Sequence, residues 1–336
     1  MAHRCRNTWK MILDIARHKF YEGLITLLTT TIMLVVLLIV SVRDSGLGLA
    51  PESGAMSLIS SATLGNGFME GTIVVIIYVL SVLSLSRFTL RTRIYPTDTM
   101  APLALCAVMI LPMLVVGDAL RQAVVVMLMT IALGNMFFCF GPRKCIHRLF
   151  AAMVAAGTLA VVDGSLVVVP VVMCWVLISA RKKLREALAT VVGMLLPLFT
   201  FCYVEWLLGG GFGDSALEWW RGITANLSLN ILDNLTITRM IFVAFIIFLQ
   251  ATSMVLNFAH RDLYSSVVRG AWRSMQLLFM ALLCSMLLLP SAADSSLTAL
   301  IVVGAASLTM YFVNCGLFVG VLSYMAIISL AIAAAL

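Results

Sequence analysis

Apolar runs about as long as a lipid bilayer is thick recur from one end of this 336-residue chain to the other. A hydrocarbon core about 30 Å thick needs roughly 20 helical residues to cross it. Runs near that length fall at 23–42, 71–86, 100–116, 122–140, 149–162, 166–180, 187–208, 237–258, 274–289, 296–313 and 317–336. That spacing predicts about 11 spans. The runs are continuous rather than alternating, which excludes a β-barrel with its polar lumen. The expected fold is all-α: a polytopic transmembrane helical bundle, one domain over 23–336. Composition agrees, with 62% hydrophobic and 11% charged residues and a mean hydropathy of +1.09. A soluble domain carries about 25% charged residues, so this chain cannot clothe itself in polar surface. A soluble enzyme, a disordered protein and a nucleic-acid-binding module are excluded.

The charges orient the spans. With a cytoplasmic N-terminus, 18 of the 22 Lys and Arg residues fall inside, leaving Arg43, Arg121, Arg221 and Arg239 outside. Acids run the other way, five inside (Asp14, Glu22, Asp98, Glu186, Asp262) and ten outside. The positive-inside rule predicts this asymmetry, and an error of one span would scramble it. The net charge of +7 is then a difference between two faces, with the basic one held against anionic lipid.

Three segments need more than hydropathy. The runs at 149–162 and 166–180 are short, joined by Asp163-Gly164-Ser165 and flanked by basic clusters on both sides. Residues 149–180 thus form a short helical hairpin, either two tilted spans or a re-entrant pair. The uncharged stretch 295–336 is long enough for two crossings with a turn near Asn314-Cys315-Gly316, leaving the C-terminus outside, or inside if the last helix is unpaired. Residues 1–22 set Trp9, Ile12, Leu13, Ala16 and Phe20 on one helical face and Arg6, Lys10, Asp14 and Arg17 on the other. That predicts an amphipathic helix on the cytoplasmic leaflet rather than a cleavable signal.

Little in the chain carries recognisable chemistry. The eight cysteines contain no C-x-x-C pair, so neither a disulfide framework nor a metal site is expected. The four histidines all lie on cytoplasmic flanks, whereas haem ligation normally needs His within the bundle. No phosphate-binding glycine loop, nucleophile elbow or H-E-x-x-H helix appears, and no cofactor is expected. The spans carry few polar residues, chiefly Gln122, Asn135, Gln250, Asn257 and Asn314, which read as ties between helices. No charge sits in mid-span, and no matching pair of broken helices marks an ion-coupled transporter.

The extracytoplasmic acids are the candidate catalytic groups. Asp44 follows the first span, in a loop rich in Gly and Ser. Asp118 lies three residues from Arg121, close enough to pair if that turn is helical. Asp163 tops the short hairpin, where an ionisable group in a membrane segment suggests function, although Asp-Gly-Ser is also good turn chemistry. Glu205 ends the seventh span beside Tyr203 and Trp206. The longest outside segment, 209–236, adds Trp219, Trp220 and Arg221, which with Arg121 are candidate ligand-binding residues. The plainer reading of the two tryptophans is an interfacial anchor.

Between residues 130 and 200 the order of features is distinctive: Gly134-Asn135-Met136-Phe137-Phe138, the link Pro142-Arg143-Lys144, the two short runs, Arg181-Lys182-Lys183-Leu184-Arg185-Glu186 and Leu195-Leu196-Pro197. It resembles an uncharacterised multi-pass inner-membrane protein family of Bacteroidota, in which two basic cytoplasmic links flank a short helical hairpin. The resemblance implies a bacterial inner membrane. A looser architectural similarity is to polyprenyl-sugar-dependent membrane glycosyltransferases, which also have about 11 spans. In those enzymes an acid in the first outside loop, at the place of Asp44, acts as general base or metal ligand. The expected function is action on envelope glycan or lipid-linked precursors at the extracytoplasmic face. A small-solute or lipid transporter and a non-catalytic scaffold subunit of an envelope complex are the alternatives.

Overall fold

A computed structural model describes residues 67–92, 95, 101–116, 119–140, 146–181, 183–225, 236–259, 265–288, 293–315 and 317–335. The expected amphipathic segment at 1–22, the span at 23–42 and Asp44 lie outside the described residues, as does Asp118. The described chain has no strand. Its helices are α1 (Gly67–Thr92), α2 (Ala101–Val116), α3 (Ala119–Cys139), α4 (Ile146–Val162), α5 (Val168–Arg181), α6 (Leu184–Leu207), α7 (Phe212–Ala225), α8 (Ile237–Ala259), α9 (Ser266–Leu288), α10 (Ala293–Asn314) and α11 (Leu317–Ala335), with a 3-10 turn (Gly164–Val167) between α4 and α5. Seven of these, α1, α3, α6, α8, α9, α10 and α11, are long and apolar enough to cross a membrane. The protein is a multi-pass α-helical membrane protein. Helices are the form such runs must take, because lipid offers backbone N–H and C=O groups no partners.

Each expected run from 71–86 onward centres on one helix, that at 166–180 beginning in the 3-10 turn, and α10 gives way to α11 at the expected turn around Cys315. Several helices outrun their apolar cores. α1 reaches Arg91, and α9 begins at Ser266, taking in Arg269 and Arg273. A charged residue removes a segment from hydrocarbon without ending the helix, so hydropathy under-reads helix length. The segment 209–236, expected as a loop, contains α7.

α2 and α10 form the centre. Every residue of α2 from Leu103 to Met113 is buried, which is why this 16-residue helix has no polar face. α10 is 89% buried over its apolar window and packs against α2, α3, α8 and α9. Around them α1, α6, α8 and α11 turn apolar residues outward, such as Ile76 and Leu80, Leu188 and Val192, Phe248 and Val255, and Leu322 and Met325. In lipid such faces cost nothing, since acyl chains are as apolar as leucine.

Because helices in lipid gain no hydrophobic drive from meeting, close contact and hydrogen bonds must hold them. Both occur here. On α4, a Cβ at Gly157 would meet the Met194 carbonyl oxygen at 2.5 Å and the Pro197 ring at 3.0 Å. On α6, one at Gly193 would meet the Phe150 oxygen and Met153 Cβ, each at 3.0 Å. Two glycines thus let α4 and α6 touch backbone to backbone beside Pro197, which lies inside α6. Near the start of α4, the Phe88 ring covers Gly134 and meets Phe138 edge-on at 6.2 Å. The Arg148 guanidinium caps Phe138 at 3.7 Å, a cation–π contact.

The hydrogen bonds centre on α10. The Thr298 hydroxyl donates to the Gln122 side-chain oxygen at 2.5 Å, and the Ser307 hydroxyl to that of Gln250 at 2.7 Å. Arg239 Nη1 donates to Asp294 Oδ1 at 3.1 Å. Toward the other end of α10, the Tyr95 hydroxyl donates to the Ala306 carbonyl at 2.5 Å, and Tyr311 shares a 3.1 Å bond with Ser323 of α11. Gln122 and Gln250 are the ties the sequence suggests; Asn135 instead donates back to Ile131 of its own helix.

Candidate functional site

The short hairpin places its tip inside the protein. α4 and α5 have 17 and 14 residues, about 25 and 21 Å of helix. The 3-10 turn that joins them packs against α7, α9 and α10. Asp163 begins that turn in an extended conformation. Its Oδ1 accepts from the Ser165 amide at 3.0 Å and the Ser165 hydroxyl at 2.7 Å, the local bonding for which Asp-x-Ser turns are favoured. The Ser285 hydroxyl of α9 donates to the Ser165 carbonyl at 3.0 Å and pins the tip from the other side.

The second oxygen of Asp163 faces a cation. Arg121 Nη2, on the first turn of α3, lies 3.4 Å from Asp163 Oδ2. The Asp163 side chain is 6% exposed and that of Arg121 23%. The carboxylate is thus buried, while the Arg121 side chain as a whole is partly exposed. A lone charge at such depth would be costly, and a close opposite charge offsets that cost. Among the described residues, the ion pair of Arg121 goes to Asp163; the expected Asp118 partner lies outside them.

A lid-like helix crosses above. α6 ends in a Schellman turn, with the Gly209 amide donating to Trp206 O at 3.1 Å and the Gly210 amide to Glu205 O at 3.0 Å. Gly209 has φ +98°, a left-handed conformation that a residue without Cβ adopts freely. The turn lays α7 back across the end of the bundle. Two contacts one helical turn apart hold it there. The Ser215 hydroxyl donates to Glu205 Oε2 at 2.9 Å, and the Trp219 indole N–H donates to the Ala160 carbonyl at 3.1 Å. The register of Gly157 against Pro197 and of Gly193 against Phe150 brings Asp163 level with Tyr203 and Glu205.

The structure therefore gathers Arg121, Asp163 and Trp219 around the hairpin tip, with Glu205 beside them under the start of α7. Trp220 and Arg221 are exposed on α7. Trp219 is engaged by its indole N–H with the protein itself. Sequence reading missed the supports Ser285 and Ser215 and the second ion pair, Arg239 with Asp294. That pair bridges 55 positions, and no local pattern announces it. Among the described residues no group of three His, Cys, Asp or Glu side chains is arranged to hold a metal ion. The cluster's chemistry is that of a partly exposed arginine side chain paired with a buried carboxylate, a charge-assisted contact.

Comparison with known proteins finds no matching family model, no matching curated protein and no matching solved structure.

Proposed function

We propose that the protein works at the extracytoplasmic face of a bacterial inner membrane, on lipid-linked anionic precursors of envelope glycan. The observation that carries this reading is the Arg121–Asp163 pair at the hairpin tip. It lies level with Tyr203 and near Trp206, aromatic residues of the kind that collect at headgroup depth. A phosphate carried on a lipid arrives at that depth laterally. It would compete with Asp163 for the Arg121 guanidinium, a fork well suited to phosphate oxygens. The Bacteroidota resemblance and the glycosyltransferase-like architecture favour the same setting; Asp44 and Asp118 lie outside the described residues.

The topology that this reading needs has about 11 spans and a cytoplasmic N-terminus. Its support is the 18-to-4 division of basic residues, together with pairs that join helix ends the charges put on one side. Arg121–Asp163, Arg239–Asp294, Gln122–Thr298 and Trp219–Ala160 join ends assigned to the outside. Tyr311–Ser323 joins ends assigned to the inside.

Binding of a polyprenyl phosphate by the full chain in nanodiscs tests the reading, with the unphosphorylated polyprenol as control. The wild type is expected to prefer the phosphate, Arg121→Gln to lose about tenfold or more in affinity, and Asp163→Asn to bind at least as tightly. A charge-assisted contact of about 1.5–3 kcal/mol sets that scale. Equal binding of phosphate and alcohol, or an indifferent Arg121→Gln, rejects it.

A transport reading has one observation of its own. Gln250 and Ser253 of α8 meet Ser307 of α10, and Asn257 donates to Ser253; among the described residues, the buried Asn257 Oδ1 has no hydrogen-bond partner. Flux of small polar solutes abolished by Asn257→Leu, with phosphate-lipid binding absent, would favour it.

A further inference from the structure

The helix α7 has three faces of different character. At about 100° per residue, Phe212, Ser215 and Trp219 share the face turned to the protein. Phe212 meets Phe199 of α6 at 5.4 Å, and the other two make the bonds to Glu205 and Ala160. Asp214 and Arg221, two turns apart, form an exposed charged face suited to water. Between these lie Leu217 and Trp220, 46% and 57% exposed. An exposed leucine and tryptophan three residues apart on a structured helix require a surrounding of their own.

The neighbouring surface indicates what that surrounding is. α7 packs on α6 and on the 3-10 turn. The last turns of α6 expose Phe199, Tyr203, Val204, Trp206 and Leu207, and α6 is one of the helices long and apolar enough to cross a membrane. Its outward face is therefore a lipid face, and the Leu217–Trp220 stripe continues it sideways at the end of the span. Apolar, aromatic and charged faces in that order around one short helix fit a helix lying in the plane of a bilayer interface.

We propose that α7 is an in-plane helix of the membrane interface on the hairpin-tip side. Leu217 and Trp220 sit among the acyl chains just below the headgroups, and Asp214 and Arg221 sit in water. The occupant of the exposed face is lipid. The Trp219–Ala160 bond then fixes the hairpin tip at a set depth, so Asp163 and Arg121 lie at headgroup level. This placement goes beyond the functional reading and does not depend on it, since it holds whether or not Arg121 binds phosphate.

The test uses the full chain reconstituted in phosphatidylcholine vesicles with no phosphate-bearing polyprenyl lipid. The emission lost in Trp220→Phe isolates the Trp220 signal. Phosphatidylcholine brominated at carbons 6 and 7 is expected to remove about half or more of that signal, while aqueous iodide removes little, as burial about 5–10 Å below the interface implies. Quenching by iodide without quenching by the brominated lipid overturns the proposal and gives the face to water. Protection from both overturns it in favour of a protein occupant, including a second copy of this chain. If Trp220→Phe does not fold, Leu217→Trp supplies the same readout as a gain of signal.

Discussion

Oδ1 of Asp163 is committed to the turn and Oδ2 to Arg121, so different substitutions separate the two roles. Asp163→Asn keeps an acceptor for the Ser165 amide and hydroxyl but gives up the charge opposite Arg121. Asp163→Ala gives up both. Removing one partner of a buried pair is strongly destabilising, less so where the remaining side chain is partly exposed, as that of Arg121 is. We expect Asp163→Ala to cost about 2–3 kcal/mol and Asp163→Asn about half as much, measured as thermal unfolding in detergent micelles. In the double variant Asp163→Asn with Arg121→Gln, the two losses should sum to less than additive. A second residue prediction concerns Cys315, in the turn before α11. Burial pushes its thiol up from the ordinary value, so less thiolate exists at neutral pH than for a free cysteine. Maleimide labelling of Cys315 should therefore stay slow near pH 7 and rise only at more alkaline pH than for a model thiol. At this scale the sequence was legible in part. Asp163 stands out because it interrupts an apolar stretch, and its turn chemistry is local. Its partner could not be read, because a pairing between separate helices leaves no trace in spacing; Gln122 and Thr298, 176 positions apart, show the same limit.

Glycine gives the clearest contrast between elements. Gly157 lies against the backbone of α6, where a Cβ would meet the Met194 oxygen at 2.5 Å, whereas Gly213 in α7 has nothing within 4 Å of an added Cβ. Gly157→Ala must push α4 and α6 apart, at about 1–3 kcal/mol. Gly213→Ala should be neutral or gain about 0.5–1 kcal/mol, as the helix loses a residue costly to order. Parallel melting curves of the two variants check this, and an equal effect would mean that α4 and α6 do not meet at Gly157. The membrane helices were legible because one property, a long apolar run, specifies both their form and their place. α7 was not, because its 14 residues mix Phe, Asp, Leu, Trp and Arg, and its average hydropathy resembles a loop. The signal was periodic: Phe212, Ser215 and Trp219 recur at helical spacing.

Across the whole molecule, the charge map makes a prediction that the contacts between helix ends support. In a background stripped of the eight native cysteines, single cysteines placed at 143 or 144 and at 181–183 should react with a membrane-impermeant thiol reagent only after the membrane is opened. Cysteines at Asp214 or Arg221 should react in intact spheroplasts. The reverse pattern would invert the bundle, and reaction of all four in intact spheroplasts would break it. Overall architecture was the most legible level, since bilayer thickness imposes a length on every span. What hydropathy did not convey is the order from centre to rim. α2 and α11 are both strongly apolar, yet α2 is enclosed by protein while α11 exposes Phe318, Leu322 and Met325. Only their packing partners distinguish them.

That ordering has a consequence for biogenesis. The central helix α10 begins at Ala293, near the C-terminal end of the described chain, and it is the helix on which α2, α3, α8 and α9 converge. While the chain is being synthesised, α2 must wait beside the insertion machinery as a 16-residue segment whose eventual neighbours are largely unmade. Assembly is thus deferred until α10 has emerged, and a product that stops before Ala293 lacks the element that closes the bundle. Such truncated chains should be cleared by membrane proteases within a pulse-chase, whereas chains ending after Asn314 should persist longer.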